Sequence, residues 1–313
     1  MRFYNMMLFK RFIPFLYIIL SIIAFNRSSE KSSENNATLS FEAIQGIKFY
    51  EVKRAFESGL SFNDLGFQQE PEWILQFLPQ DSVAVYSPLK NKMLNFSIYH
   101  DHDNYYRFAN EWFRTKLITK DSLVFQRLEV KSLRVKDDER SNVFMTFYAE
   151  QFIKKLNTTV EELRKPSKAD TAFVLKKVKA ANTHPLDSNF FFAARQPVQF
   201  KSINPQLTVS KVANQDILLN QSRSYDYLYP EYQIKIKEAY QDFSYTFRAI
   251  VDEKGKIWVY DFVVFEEDAR ASRKKVLQGI ADVYLMNMMK ITPGKTLEIP
   301  HASLIYINIK GKK

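Results

Sequence analysis

The chain has no cysteine among its 313 residues. Disulfides, thiolate zinc sites, iron–sulfur clusters and cysteine nucleophiles are excluded together. A lipoprotein anchor, which needs a cysteine at the end of its signal, is excluded with them. Glycine is scarce too: seven residues are too few for glycine-rich nucleotide loops or glycine-dependent β-repeats. No Gly-x-Ser-x-Gly elbow is present to hold a nucleophilic serine. Basic charge is dispersed. The net charge of +10 comes from 45 basic and 35 acidic side chains, yet the longest basic clusters, such as Lys176-Lys177 and Arg273-Lys274-Lys275, span two or three residues. Nucleic-acid recognition favours a concentrated stripe, so no nucleic-acid partner is expected. Weak attraction to an anionic membrane surface fits the dispersed excess better.

Apolar residues make up 46% of the chain and aromatic residues 15%, which argues for folded protein. The length allows two ordinary domains with independent cores. The start reads as a targeting segment. Arg2, Lys10 and Arg11 precede fourteen uncharged residues, 12–25, and a polar, serine-rich tract follows. A spanning helix needs about 20 apolar residues and a signal-peptide core about 7 to 15. Residues 1–25 are therefore expected to be a signal peptide or short membrane anchor, and 26–40 a polar linker. The implied location is the periplasm or cell envelope, with inner-membrane anchoring if the segment is not cut.

An α+β region is expected over residues 41–182. Helical spacing is read over 42–58, and short strands over 73–77 and 82–86. The stretch MLNFSIY alternates, with Leu94, Phe96 and Ile98 on one face. In NYYRFANEWF, Tyr105, Phe108, Ala109 and Trp112 fall at helical spacing. A hairpin is expected between 123–135 and 143–149, then helices near 150–164 and 168–181. Three prolines mark 183–206 as a linker, and 207–313 is the second domain.

The stretch SIYHDHDNYY, residues 97–106, holds the strongest hint of chemistry. On a continuing strand, His100 and His102 would share a face and could reach one metal ion. Zinc needs further ligands, and the only other histidines are His184 and His301. The stretch also lies where the period changes, which is where turn and capping residues belong. The structural reading is preferred, and no catalytic, cofactor-binding or metal-binding residue is assigned. PGKT (293–296) lacks the upstream glycine of a phosphate loop. SPLK (87–90) has the serine–lysine spacing of penicillin-binding enzymes without their partner motifs.

The last hundred residues are better patterned. Tyr245, Phe247, Ala249 and Val251 alternate; DEKGK (252–256) is a hairpin turn with Gly255 at positive φ; and Trp258, Tyr260, Phe262 and Val264 are expected on one face of the return strand. Leu277, Ile280, Ala281, Tyr284 and Met288 form the stripe of a helix over 270–289 that ends at TPG. Ile305, Ile307 and Ile309 alternate in a final strand, with Leu304, Tyr306 and Asn308 on its other face. The expected product is a small antiparallel sheet with a helix packed on one face.

Tyr229-Pro230, the hairpin FRAIVDEKGKIWVYDFVVF, the helix VLQGIADVYLMNMMKITPGK and the terminal LIYINI resemble, in order and spacing, the C-terminal domain of TonB-like proteins. The match covers residues 216–313. The chain departs from the family pattern at Tyr240-Gln241-Asp242, where a glycine is usual, and at Ile291, where a tryptophan is usual. It also lacks the long proline-rich spacer. The resemblance implies a sheet edge that takes up a peptide by strand addition, with residues 303–309 as the candidate edge. The functional expectation is a non-enzymatic bacterial cell-envelope protein with a peptide- or protein-binding C-terminal module. The alternative is an exported hydrolase or metal-dependent enzyme with a site near His100 and His102.

Overall fold

In the computed structural model, which describes residues 40–313 except 133, 139–140, 214–223 and 265, period-two alternation governs the first half of the chain. The expected signal or anchor segment, and the linker up to residue 39, lie outside the described residues. Nine strands follow in order: β1 (Lys48–Phe56), β2 (Ile74–Leu78), β3 (Ser82–Ser87), β4 (Lys92–Ser97), β5 (Tyr99–His102), β6 (Tyr105–Phe108), β7 (Glu111–Ile118), β8 (Ser122–Leu128) and β9 (Val143–Ala149). They form one sheet of order β4-β3-β2-β1-β9-β8-β7-β6-β5, antiparallel at every pairing. Its two outermost strands, β4 and β5, are separated in sequence by Ile98 alone. A chain can step from one edge to the other in one residue only if the sheet curls until its edges approach. The sheet is accordingly nearly closed.

Phe77, Phe108, Phe113, Phe125 and Phe147 fill the inside of this curl and are almost completely buried. Phe108 and Phe113 stack at 4.5 Å. Phe41, just before a short 3-10 turn (Glu42–Ile44), stacks on Phe77 at 4.3 Å. The interior is a packed aromatic core.

Two expected helices are strands. Over residues 42–58 a β-bulge explains the misreading: Glu51 pairs with Phe147 and Lys53 with Thr146, leaving Val52 extra. The extra residue converts a two-residue repeat into the apparent helical spacing of Phe49, Val52 and Phe56. Over 104–113, Ala109 and Asn110 both take positive φ, 48° and 64°, and make the tight turn of the β6–β7 hairpin. Tyr106 and Phe108 then face Phe113 across the turn and point inward, a helical stripe only by coincidence.

Three helices follow: α1 (Glu150–Lys155), α2 (Val160–Leu163) and α3 (Lys168–Thr183). A capping box starts α3. The Ser167 hydroxyl accepts from Asp170 N–H at 3.1 Å, and the Asp170 carboxylate accepts from Ser167 N–H at 2.9 Å. The same carboxylate accepts from Ser61 N–H at 2.6 Å, tying α3 to the loop after β1.

The 183–206 stretch, expected as a linker, is built into the structure. Phe192, Ala194 and Val198 are buried, and β10 (Gln199–Ser202) continues the chain. Next come β11 (Leu207–Lys211), α4 (Tyr225–Leu228), β12 (Glu231–Ile236), β13 (Phe243–Val251), β14 (Ile257–Phe262) and α5 (Arg270–Ile280). A π-helical turn (Ala281–Leu285) and a last turn (Met286–Met288) lengthen α5, before β15 (Met289–Thr292) and β16 (Ser303–Gly311). β10 pairs with β15. The five-stranded sheet has the order β11-β12-β16-β13-β14. Leu277, Ile280, Ala281 and Leu285 pack against Phe247 and Ile305, Ile307 and Ile309 in one buried cluster.

The fold is α+β, as expected. The larger sheet has nine strands, and the C-terminal sheet is mixed because β12 and β16 run parallel. On β14 the expected face holds only in part. Phe262 is buried on the same face as Ile257 and Val259, and Trp258 is not, because Tyr260 is an extra, bulged residue between the pairs Ala249–Val259 and Arg248–Asp261 that reverses the parity of the strand. The described residues form one compact unit. Within it each sheet has its own core, and a third cluster of Phe62, Val174, Val178, Ala181 and Phe192 lies on α3.

Candidate functional site

His100 and His102 sit on β5 beside a tight turn in which Asp103 takes φ 42°. The turn joins two strands, not a strand and a helix. His100 pairs with Tyr106 and His102 with Tyr105, so Asp101 is an extra, bulged residue. The bulge reverses the parity of the strand. His100 stacks on Tyr106 at 4.8 Å and His102 on Tyr105 at 4.6 Å, and these neighbours on β6 point to opposite faces. The two imidazoles therefore cannot converge on one ion. His102 Nδ1 is 2.6 Å from Asp101 Oδ2, and His100 Nε2 is 2.9 Å from the Asp103 carbonyl. Among the described residues no group of three or more His, Asp or Glu is placed to hold a metal.

PGKT belongs to the packing of the C-terminal unit. A Cβ on Gly294 would stand 2.5 Å from Ala194 Cβ, so glycine there permits a close approach of two chain segments. Leu89 of SPLK is almost fully exposed in the turn after β3.

The final strand is central, which corrects the expected edge at residues 303–309. β16 lies between β12, its parallel neighbour, and β13, its antiparallel one. Ile305, Ile307 and Ile309 are fully buried, while Leu304, Tyr306 and Asn308 are half-buried on the other face. The edges of the sheet are β11 and β14, and they differ chemically.

On β14, Asp252 N–H donates to the Lys256 carbonyl, which fixes the ladder phase: Trp258 bonds to β13, and the peptide groups of Ile257 and Val259 point away from it. The Gln278 side chain on α5 occupies those groups. Val259 N–H donates to Gln278 Oε1 at 2.9 Å, and Gln278 Nε2 donates to the Ile257 carbonyl at 2.9 Å. One side-chain amide thus makes the pair of bonds that a single residue of an added parallel strand would make. The Tyr260 bulge interrupts the rest of this edge, and β14 is closed to pairing.

On β11, Lys237 N–H donates to the Gln206 carbonyl and Val212 N–H to the Glu231 carbonyl. Thr208 and Ser210 hence face β12, and Leu207, Val209 and Lys211 face outward. Leu207 is satisfied locally: its N–H donates to the Asn204 carbonyl, and its carbonyl accepts from Ser202 Oγ at 2.8 Å. Among the described residues, the peptide groups of Val209 and Lys211 meet no such partner. Among the described residues, this three-residue stretch is the open edge of the sheet.

A second polar cluster is buried where β16 begins. His301 and Thr296 are both fully buried. His301 Nδ1 lies 3.0 Å from the Ala302 carbonyl, which can only accept, so Nδ1 carries the proton and Nε2 accepts from Thr296 Oγ1 at 3.0 Å. Thr296 Oγ1 in turn accepts from Arg195 N–H at 3.1 Å. Burial pushes the His301 pKa down to about 4. A histidine held neutral between satisfied partners locks the chain crossing and offers no free nitrogen.

Sequence reasoning misses Gln278 and β11. The period-two alternation of QLTVSK (206–211) was the available signal for β11. For Gln278 the only hint is an amide next to the apolar stripe of a helix. Compared with known proteins, the chain matches no family model and no curated sequence.

Proposed function

We propose that the protein is a non-enzymatic component of the bacterial cell envelope whose C-terminal sheet takes up an extended peptide of a partner protein by strand addition along β11. The element order of strand, tight hairpin, strand, long helix and last strand supports a TonB C-terminal-like module. The asymmetry of the two edges carries the reading. Gln278 stands in for an added strand on β14, whereas the outward peptide groups of Val209 and Lys211 on β11 are left for an incoming backbone. Thr208 and Ser210, exposed on the strand, leave room for the side chains of such a peptide.

The envelope location rests on the order of charge, apolar run and polar tract in residues 1–36. No helix among the described residues is long and apolar enough to cross a membrane. The binding reading is preferred to an enzyme with a metal shared by His100 and His102, because the Asp101 bulge turns the two imidazoles to opposite faces.

Selection of displayed twelve-residue peptides on the full chain, followed by mapping of the perturbed backbone amides, tests the reading. The expected result is a bound peptide that shifts the amides of residues 209–211. Selected peptides that map to β14 or to no sheet edge would overturn it.

A further inference from the structure

The hairpin that carries His100 and His102 also presents a broad outward surface. Its outward face presents two adjoining rows of side chains across β5, β6 and β7. Tyr99 pairs with Arg107 and Arg107 with Trp112; His102 pairs with Tyr105 and Tyr105 with Arg114. Directly paired neighbours lie about 5 Å apart and diagonal ones about 7–8 Å, so the six side chains form one continuous platform. Tyr99 meets the Trp112 ring edge-on at 6.2 Å, and His102 stacks on Tyr105. The Arg107 guanidinium lies 6.0 Å from the Trp112 ring and that of Arg114 5.6 Å from Tyr105.

Three features set this face apart from an ordinary solvated sheet surface. Tyr99 is 56% exposed, and Trp112 and Tyr105 are only half-buried, so large rings stand in water together. Next, Arg107 and Arg114 have no carboxylate partner among the described residues, while Arg127 on the neighbouring strand is held by Glu111 at 2.7 Å. Finally, the bulge at Asp101 has a consequence: it turns His102 outward onto Tyr105 and completes the second row.

We propose that this platform binds an acidic saccharide. Aromatic rings with polar edges offer flat apolar faces to the C–H side of a sugar ring. Two guanidinium forks on diagonal positions can bracket one carboxylate with bidentate hydrogen bonds. Asp101 and Asp103 stand exposed at the tip of the same hairpin, where they can accept sugar hydroxyls. Those two carboxylates also argue against a continuous phosphate chain, which needs a basic track along its whole length. A ligand with one negative group and several hydroxyls fits the mixed charge; a uniform polyanion does not.

Titration of the full-length protein with tetragalacturonate, by calorimetry and by the indole N–H resonance of Trp112, tests the proposal. Maltotetraose, oligothymidylate and poly-L-glutamate serve as comparisons. Tetragalacturonate should bind and shift the Trp112 resonance, and maltotetraose should bind at least about tenfold more weakly, as loss of a charge-assisted hydrogen-bonded pair implies. Arg107→Gln and Arg114→Gln should each weaken binding by about tenfold or more without changing the melting temperature, because neither residue supports the core. Equal binding of maltotetraose, tighter binding of oligothymidylate or poly-L-glutamate, or no effect of both arginine variants would overturn the proposal. So would the absence of tetragalacturonate binding at millimolar concentration.

Discussion

Acidification should destabilise the protein in part through one buried residue, His301. Its imidazole is completely buried and its pKa is depressed from 6.5 to about 4, whereas in the unfolded chain it titrates near the ordinary value. Above pH 6.5 both states are neutral and the stabilisation is fully present. As the pH falls below 6.5 the unfolded chain takes up a proton that the folded protein refuses, and stability drops until the folded state protonates near pH 4. The gap corresponds to about 3 kcal/mol in all, of which about 2 kcal/mol should be gone by pH 5. Carboxylates titrate over part of the same range, so the assay is a difference: urea unfolding of the wild type and of His301→Gln between pH 7.5 and 4.5. Gln keeps a donor and an acceptor but has no proton to gain. The wild type should lose about 2 kcal/mol more than the variant between pH 7 and pH 5. Parallel stability curves would show that water reaches the cluster of His301, Thr296 and Arg195 N–H, and would refute the reasoning.

Gln278→Met should leave the buried peptide groups of Val259 and Ile257 without partners, at about 1–3 kcal/mol for each group. It should also speed hydrogen exchange at Val259 and promote self-association by sedimentation, and unchanged exchange would deny the edge-closing role. Ile307→Ala, at the centre of the C-terminal sheet, should cost about 2–5 kcal/mol in denaturant unfolding, and Asn308→Ala much less; equal costs would contradict the register. A reporter fused after residue 313 should be active outside the cytoplasm, and activity confined to the cytoplasm would defeat the envelope assignment.

Legibility in the sequence follows the continuity of alternation. β9 and β16 alternate almost throughout, as does β13 up to Ala249, and their inward residues are readable directly. Parity fails wherever one residue is added, as at Val52, Asp101 and Tyr260, because a bulge is a property of the pairing and leaves no mark in composition. The β6–β7 turn is hidden for another reason: Ala109 and Asn110 take the positive φ that is usually announced by glycine. The candidate site suffers most from non-local pairing. Three strands counted from β13 onward put the last one on an edge. Tyr232, Ile234 and Ile236 of β12 add a parallel neighbour from seventy-five residues upstream, and β16 becomes central. Only with that pairing known do β11 and β14 emerge as edges, and only side-chain geometry shows that Gln278 closes one of them.

Strand addition at β11 is tested most directly by two neighbouring prolines in the full-length protein. Val209→Pro removes an N–H that faces outward, and Ser210→Pro removes one that bonds to β12. A β11-binding peptide should lose its affinity for Val209→Pro while that variant unfolds at nearly the wild-type urea concentration, and Ser210→Pro should be clearly destabilised. Full peptide affinity in a folded Val209→Pro protein would contradict the account.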